Sequence, residues 1–193
     1  MRKLSLFLMS LILGFSAMAH SSQTLVFVRH AEKPDNDSGQ LTCKGLNRAL
    51  ALPSVLIKQF GQPNALFASA PKQNKLGSSL RAVQTISPLA IQVSLPIHLN
   101  FHAKEIKELQ KELLSKQNEN SLIFIAWEHD NLVKVVKNIM KQEGGDPDLI
   151  PKWKGHDFDS IYVLTIDHHD TEKKITFEHK QQGLNNLADS CPN

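Results

Sequence analysis

The chain has 193 residues, of which 41% are hydrophobic and 21% are charged, and its formal net charge is +3. An ordinary apolar fraction with a moderate charged fraction excludes an intrinsically disordered chain and a collagen-like one. The length suits one domain, and neither an internal repeat nor a linker interrupts the sequence.

The first 19 residues have the pattern of a secretory signal peptide. Arg2 and Lys3 supply a positive start, residues 4–15 are mostly apolar, and Ala17-Met18-Ala19 matches an A-x-A cleavage site. The alternative is a membrane anchor, but residues 4–19 are shorter than the roughly 20 residues that a spanning helix needs. We therefore expect one mature domain over residues 20–193, exported to the periplasm or secreted.

The net charge changes when this leader is set aside. Cleavage would remove two basic residues and no acidic one, so the charge of +3 would fall by two, to +1. Such a small surplus makes nucleic acid a poor candidate partner. No later segment is long and apolar enough to predict stable membrane insertion, and the oligomeric state stays open.

Two cysteines, Cys43 and Cys191, lie outside the leader. An exported compartment permits disulfides, so one bridge between them is the simplest interpretation, and two free thiols are the alternative. In the chain-entropy model, the loop that such a bridge closes would stabilise the folded state by up to roughly 4–5 kcal/mol. The sequence has no C-x-x-C motif and no Cys/His spacing typical of zinc.

Short apolar runs alternate with helical patterns along the chain. Strands are predicted at 24–28, 65–69, 97–99, 122–127, 160–166 and 174–178. Helices are predicted at 42–60, 80–93, 102–116 and 132–140. Pro53 is expected to break or kink the first helix and Pro88 to interrupt the second, and residues 71–79 are expected to form a mobile loop. The alternation predicts an α/β sheet covered on both faces.

Two of the predicted strands end in polar clusters that contain a histidine. These are Arg29-His30 and Glu128-His129-Asp130, and Arg81 stands at the start of a predicted helix. Ligand sites form at strand ends in open α/β sheets, and arginine binds phosphate oxygens in pairs. A neutral imidazole can attack phosphorus, and a helix N-terminus adds backbone donors. Each histidine alone could be merely structural, but together these residues suit a phosphoryl group.

Five motifs, taken together, resemble the histidine phosphatase superfamily, also called phosphoglycerate mutase-like. They are VFVRHAEKP at 26–34, GLNRA at 45–49, Ala68-Ser69, RAVQT at 81–85, and His129 after an apolar strand. Their order and spacing cover roughly residues 25–135.

The resemblance implies a fold, a reaction and a set of residues. The fold would be a three-layer α/β/α sandwich with a mostly parallel central sheet. His30 would be the nucleophile that becomes phosphorylated, and Arg29, Arg81 and His129 would form the phosphate pocket. A phosphomonoester would be hydrolysed in two steps, phosphoryl transfer to His30 and then attack by water, without a metal or another cofactor.

The general acid has three candidates. Asp130 ranks first, because His129-Asp130-Asn131 is similar to the His-Asp motif of the acid-phosphatase branch. Glu105 ranks second, because mutase-branch enzymes place a glutamate after the R-A-x-Q-T helix. Glu128 ranks third, because it precedes His129 on a predicted strand and its side chain is expected to point the opposite way.

The substrate is not specified by these motifs. Lys72 and Lys75, in the polar segment 71–79, would attract anions to one wall of the site, or else form an ordinary solvated basic loop. A small-molecule or cell-envelope phosphoester is the expected substrate. The alternatives are a catalytically weak phosphate-binding or regulatory protein of the same fold, and a phosphohistidine protein phosphatase or a mutase.

Overall fold

A computed structural model describes residues 21–36, 38–74, 77–168 and 173–192 of the protein. The predicted signal peptide, its cleavage site and Lys75 lie outside the described residues. Among the helices that are described, none combines the length and the hydropathy needed to cross a bilayer.

Eight strands and four helices make up the described fold. The strands are β1 (Ser21–Arg29), β2 (Ala65–Ala68), β3 (Lys72–Asn74), β4 (Gly77–Ser79), β5 (Ile97–His98), β6 (Leu122–Trp127), β7 (Ser160–His168) and β8 (Lys173–Gln181). The helices are α1 (Cys43–Phe60), α2 (Arg81–Val93), α3 (Ile106–Leu113) and α4 (His129–Gln142). Two short 3₁₀ turns lie at Lys116–Asn118 and Pro147–Leu149.

Six strands form one sheet in the order β5-β2-β6-β1-β7-β8. The first four are parallel, and β7 and β8 are antiparallel to their neighbours. Alternate residues of β1 point to opposite faces, as strand geometry requires. Leu25 and Phe27 pack with α3 and α4, whereas Val26 and Val28 pack with α1 and α2. This is the predicted three-layer sandwich with a mostly parallel sheet.

Helix α1 begins and ends where the sequence indicates. The Thr42 hydroxyl accepts a hydrogen bond from the Gly45 N–H, which caps the first turn. The helix ends before Gly61, whose φ of 91° favours glycine. The predicted break at Pro53 is wrong, because α1 is continuous through it. Burial of the neighbouring Leu52 and Leu56 offsets the missing hydrogen bond.

Three other predicted elements differ from the structure. Helix α2 is likewise continuous through Pro88, and α3 covers only the middle of the predicted 102–116 helix. Residues 71–79 contain an antiparallel ribbon of β3 and β4 instead of a mobile loop. Gly39 packs against this ribbon so closely that a Cβ would lie 2.6 Å from the Ser79 Cα. The ribbon is therefore held in place beside α2.

The predicted disulfide between Cys43 and Cys191 is present, with the two Cα atoms 4.4 Å apart. It joins the first residue of α1 to the C-terminal tail. Hydrogen bonds also join α1 to this tail. The side-chain amide of Asn47 donates to the carbonyls of Ala188 and Ser190 at 2.9 and 2.8 Å. The tail is thus fixed along the start of α1.

A buried arginine links this helix to the segment that follows β1. Arg48 is 1% exposed and donates to Glu32 at 2.8–3.0 Å, to Asp159 at 2.9 Å and to Gln182 at 2.9 Å. Gly45, one turn earlier, lies against the Glu32 backbone, where a Cβ would meet the carbonyl oxygen at 2.4 Å. These contacts set the path of the chain directly after His30.

Candidate active site

Parallel pairing of β2, β6 and β1 places the carboxyl ends of these strands at one edge of the sheet. A cavity of about 330 Å³ opens there. Its lining in the described part of the chain consists of His30, Ser69, Ala70, Lys72, Ser79, Arg81, Ala82, His102, Ala103, Lys104, Glu128 and Asn131. The position agrees with the general rule for ligand sites in such sheets.

His30 directly follows β1 and is 7% exposed. Its Nδ1 lies 2.8 Å from the carbonyl oxygen of Ala31. A carbonyl oxygen can only accept, so Nδ1 carries the proton and a neutral ring has its lone pair on Nε2. The backbone N–H of His30 donates to the Trp127 carbonyl at 2.9 Å, which ties the residue to the end of β6.

Burial lowers the pKa of the His30 imidazole from its usual 6.5 to about 4. The hydrogen bond to Ala31 and the charge of Glu128 oppose this shift, whereas the guanidinium groups of Arg29 and Arg81 favour it. At neutral pH the ring is therefore uncharged. An uncharged ring with a free Nε2 lone pair is nucleophilic.

This pKa predicts how stability changes with pH. Between about pH 6.5 and about pH 4 the His30 imidazole is protonated in the unfolded chain but stays neutral in the folded protein. The free energy of unfolding should therefore be highest above pH 6.5 and should fall by on the order of 3 kcal/mol as the pH decreases through this window. Urea unfolding of the wild type and of His30→Asn at several pH values measures the difference. Equal pH dependence in the two proteins would contradict the lowered pKa.

Thr85 connects the His30 segment to helix α2. Its hydroxyl oxygen accepts a hydrogen bond from the Ala31 N–H at 2.8 Å and donates to the Arg81 carbonyl at 2.7 Å. Thr85 is 1% exposed, so no water competes for these bonds. One hydroxyl thus fixes the residue after the histidine and the first turn of the helix that carries Arg81.

Substitution of this hydroxyl provides a second prediction. Thr85→Val keeps the side-chain shape but leaves the buried Ala31 N–H without a partner, which should cost about 1–3 kcal/mol of unfolding free energy. If Thr85 also positions His30, a turnover assay should show a lower kcat in Thr85→Val and its recovery in Thr85→Ser. A valine variant with full stability and full kcat would exclude this role.

Arg29 is the last residue of β1 and is 2% exposed. Its Nη1 donates to the carbonyls of Gly155 and Asp157 at 2.7 and 3.0 Å, and its guanidinium lies 3.9 Å from the centre of the Phe158 ring. Its Nε is buried and has no partner among the described residues. Burial lowers its pKa, and the charges of Glu128 and Asp157 oppose this effect.

The loop that receives Arg29 is itself fixed by Asp157. Burial alone would raise the pKa of this carboxyl, but hydrogen bonds from the Ser160 hydroxyl and from the N–H groups of Asp159 and Ser160 lower it. Asp157 therefore stays ionised and closes a tight turn at the start of β7. The loop also places Phe158 with its ring centre 6.3 Å from that of His30.

Arg81 opens α2 and lines the cavity. Its Nε donates to the Gln40 carbonyl at 3.4 Å, and the N–H of Leu80 donates to the Gly39 carbonyl at 2.9 Å. No side chain caps the N-terminus of α2. The first N–H groups of the helix are available to an anion next to Arg81, where the helix dipole also favours negative charge.

The expected orientation of Glu128 is wrong. Strand β6 ends at Trp127, and Glu128 caps α4 by accepting from the N–H groups of Asp130 and Asn131 at 2.9 and 3.0 Å. The amide of Asn131 also donates to it at 2.8 Å. Glu128 lies beyond the end of the strand, so the alternation of side-chain direction along a strand, on which the prediction depends, does not apply to it. Its side chain lines the cavity.

His129 and Asp130 begin α4 beside Glu128. His129 Nδ1 lies 2.8 Å from a Glu128 oxygen, although not in hydrogen-bond geometry, and its Nε2 lies 3.7 Å from Asp130 Oδ1. The donor atoms of the three residues lie within 4.8 Å of one another, so this group could hold a metal ion. The side chain of Asp130 is 74% exposed.

The structure brings some of the predicted site residues to the cavity and leaves others beside it. The cavity lining includes His30, Arg81, Lys72 and Glu128. The predicted residues outside this lining are Arg29, His129, Asp130 and Glu105. Glu105 precedes α3, is exposed, and accepts from the His102 N–H at 2.6 Å.

Comparisons with protein-family models and with curated proteins give no match. Solved structures do match. A mycobacterial glucosyl-3-phosphoglycerate phosphatase has a TM-score of 0.55 and 12% identity over 81% of this chain and 97% of that chain. A phosphoglycerate mutase from Plasmodium falciparum has a TM-score of 0.55 and 12% identity over 82% of this chain and 89% of that one.

A third matching structure, from Entamoeba histolytica, is a phosphoserine phosphatase mutant in complex with phosphoserine. It has a TM-score of 0.50 and 16% identity over 86% of this chain and 99% of that one. The chain has the histidine phosphatase fold. The resemblance predicted from the motifs is therefore confirmed at the level of the fold.

Within the histidine phosphatase fold, this chain has residues at the site whose role the sequence does not indicate. Thr85, Glu32 and Arg48 lie within the motifs that resemble the family. The motifs therefore indicate that these residues matter, but they do not predict the hydrogen bonds that the residues form. Phe158 gives no signal, because a single phenylalanine in a polar loop is indistinguishable from a packing residue. Its contact with Arg29 arises only from the folded path of the 153–160 loop.

Proposed function

We propose that the protein is an exported, metal-independent phosphatase that hydrolyses a phosphomonoester through a phosphohistidine intermediate on His30. The observation that carries the proposal is the state of the His30 ring. Its Nδ1 is committed to Ala31, its pKa is about 4, and it lines a cavity beside Arg81. Nucleophilic attack on phosphorus requires an unprotonated nitrogen next to groups that bind phosphate oxygens.

The proposed reaction has two steps. First, the Nε2 lone pair of His30 forms a bond to phosphorus while the bond from phosphorus to the leaving oxygen breaks. A carboxylic acid gives its proton to that oxygen, so the alcohol leaves neutral. Then water attacks phosphorus, the N–P bond breaks, and the same carboxylate takes the proton from water. Inorganic phosphate is released and His30 is restored.

Charge on the transferred oxygens needs fixed positive groups throughout both steps. Arg81 and the N–H groups at the start of α2 are proposed to bind these oxygens directly. Arg29 and His129 are proposed to complete the phosphate pocket beside His30. Arg29 is already oriented by the Gly155 carbonyl and by Phe158, so little side-chain entropy is lost when phosphate binds.

For the carboxyl that exchanges protons, we propose Glu128, because it lines the cavity with His30. Asp130 stays a candidate, since its charge interacts with Arg29 and its Oδ1 lies 3.7 Å from His129 Nε2. Glu105 also stays a candidate, although its carboxylate is engaged by the His102 N–H. Comparing Glu128→Gln, Asp130→Asn and Glu105→Gln on substrates with poor and good leaving groups separates the three candidates.

Export is proposed from residues 1–19, and the Cys43–Cys191 bond supports it. Disulfides persist in oxidising compartments outside the cytoplasm. The proposed substrates are therefore small phosphoesters or phosphoesters of the cell envelope.

The test is phosphate release by purified residues 20–193 from a panel of phosphomonoesters, with and without a chelator. We expect turnover that survives chelation, and a radiolabelled phosphoryl group on the protein that is stable in base and lost in acid, as a phosphohistidine would be. Turnover that requires added metal would contradict metal independence. Binding of phosphate or vanadate without turnover of any ester would indicate a binding protein of the same fold instead.

A further inference from the structure

A chain of hydrogen bonds runs from an edge strand of the sheet to the loop that holds Arg29. His179 is an exposed residue of β8, at one end of the strand order, and its Nε2 lies 2.7 Å from the Ser160 Oγ. The Ser160 hydroxyl donates to the Asp157 carboxylate at 2.5 Å. The backbone carbonyl of Asp157 accepts from Arg29 Nη1 at 3.0 Å. Three residues thus connect the edge of the sheet to the arginine beside the nucleophile.

The direction of these bonds follows from the protons that are available. Asp157 stays ionised, so its carboxylate can only accept a hydrogen bond. Ser160 gives its one hydroxyl proton to this carboxylate, and its oxygen therefore accepts from His179, whose Nε2 carries a proton. Ser160 is completely buried, and it stands between the acid and the imidazole. A nucleophilic triad has the imidazole in the middle, so this arrangement can position other groups but does not supply a nucleophile.

The loop that Asp157 closes contacts Arg29 at three points. The carbonyls of Gly155 and Asp157 accept from its Nη1, and the Phe158 ring lies 3.9 Å from its guanidinium. Among the described residues Arg29 forms no ion pair with a carboxylate. Its buried Nε has no partner there either, and a buried donor without a partner is costly. The loop therefore holds the guanidinium in place while its charge and one N–H remain for another oxygen atom.

We propose that Ser160 and His179 are positioning residues of the active site. Neither belongs to the described lining of the cavity. Each acts through Asp157, by keeping the loop in the shape that orients Arg29 beside the phosphate pocket. Their effect on turnover rests on the proposed phosphatase function, whereas their effect on the position of Arg29 can be measured without turnover.

Two replacements of His179 separate its hydrogen bond from its packing. The ring also packs edge-on against Tyr162, with the ring centroids 5.0 Å apart. His179→Phe keeps this contact and removes the donor, whereas His179→Gln keeps an amide donor and removes the ring. We expect kcat/KM to fall about tenfold in Ser160→Ala and in His179→Phe, because Arg29 is displaced, and to recover in His179→Gln. Unchanged kcat/KM in Ser160→Ala and His179→Phe, or an equal loss in both His179 variants, would overturn the proposal.

Replacement of Arg29 distinguishes positioning from a general loss of stability. If Ser160 acts through Arg29, Ser160→Ala should reduce kcat/KM no further in a protein that already carries Arg29→Met. Additive losses would overturn the proposal, because Ser160 would then contribute stability alone. Glu178→Gln is the matched control, since it changes the exposed neighbour of His179 on β8 and should leave kcat/KM unchanged.

The pKa of His30 reports the position of Arg29 without any turnover. Burial is the main cause of its low value of about 4, and the charge of Arg29 also lowers it. Displacement of Arg29 and Phe158 in Ser160→Ala should therefore raise the pKa by about one pH unit, as measured by NMR titration of the labelled imidazole. An unchanged pKa in Ser160→Ala would overturn the proposal. A raised pKa in a protein whose wild type hydrolyses no ester would support the positioning role and contradict the proposed function alone.

Discussion

Replacing His30 with alanine is expected to reduce phosphate release by at least about 10³-fold, because the proposed covalent step needs the Nε2 lone pair of His30 in the cavity beside Arg81 and alanine offers no nucleophile. The neighbouring carboxyl could at most activate water directly, without the covalent step. The measurement is kcat under saturating substrate, with loss of the labelled phosphoprotein as the second readout.

A matched control keeps this result interpretable. His98→Ala removes an exposed imidazole on β5 that is not part of the cavity lining, so its activity should equal that of the wild type. Near-ultraviolet circular dichroism of both variants verifies that the fold is retained. Full activity in a folded His30→Ala protein would exclude His30 as the nucleophile, whatever the fold suggests.

Replacing Arg48 with methionine is expected to cause a large loss of stability. The guanidinium forms ion pairs with Glu32 and Asp159 and donates a hydrogen bond to Gln182. The side chains of Glu32 and Asp159 are only 14% and 4% exposed. Methionine fills similar space but leaves two largely buried carboxylates without their cation. The expected cost is about 3–5 kcal/mol of unfolding free energy.

Urea unfolding at neutral pH measures this cost. Lys44→Met on the same helix is the control, because the half-buried Lys44 forms only a long ion pair, at 3.8 Å, with the exposed Asp189, and this pair should be worth less than about 1 kcal/mol. Arg48→Lys should not rescue stability, since an ammonium cannot form the paired contacts of a guanidinium. A loss below about 1 kcal/mol in Arg48→Met would show that the network contributes little.

The parts of the fold that could be predicted are those with strong hydrophobic periodicity. The continuous apolar runs of β1 and β6 are typical of parallel strands buried on both faces, and their ends located the candidate site. Residues 71–79 could not be identified as a ribbon, because β3 and β4 are polar and short, and the close contact of β4 with Gly39 is not encoded by any local pattern. Propensity also misjudged Pro53, since burial in the core outweighed the local cost.

The candidate site was predictable in composition but not in detail. His30 and Arg81 were identified from motifs because phosphate chemistry needs those residue types. Glu128 ranks last among the candidate carboxyls if it belongs to the strand, because its side chain would then point away from His129. The strand instead ends one residue earlier, at Trp127. Lys104 and His102 reach the cavity through the pairing of Ala70 with His102, a long-range contact that depends on how β2 and β5 pair.

The Cys43–Cys191 bond closes a covalent ring around most of the described fold. Seven of the eight described strands and all four described helices lie inside this ring, whereas β1 and the segment up to Thr42 precede it. The strand outside the ring sits in the middle of the sheet, between β6 and β7, and is followed by His30. A single proteolytic cut anywhere inside the ring leaves both fragments joined until the bond is reduced. A cut between His30 and Cys43 instead leaves His30 on a peptide that is retained only by non-covalent contacts such as strand pairing and packing.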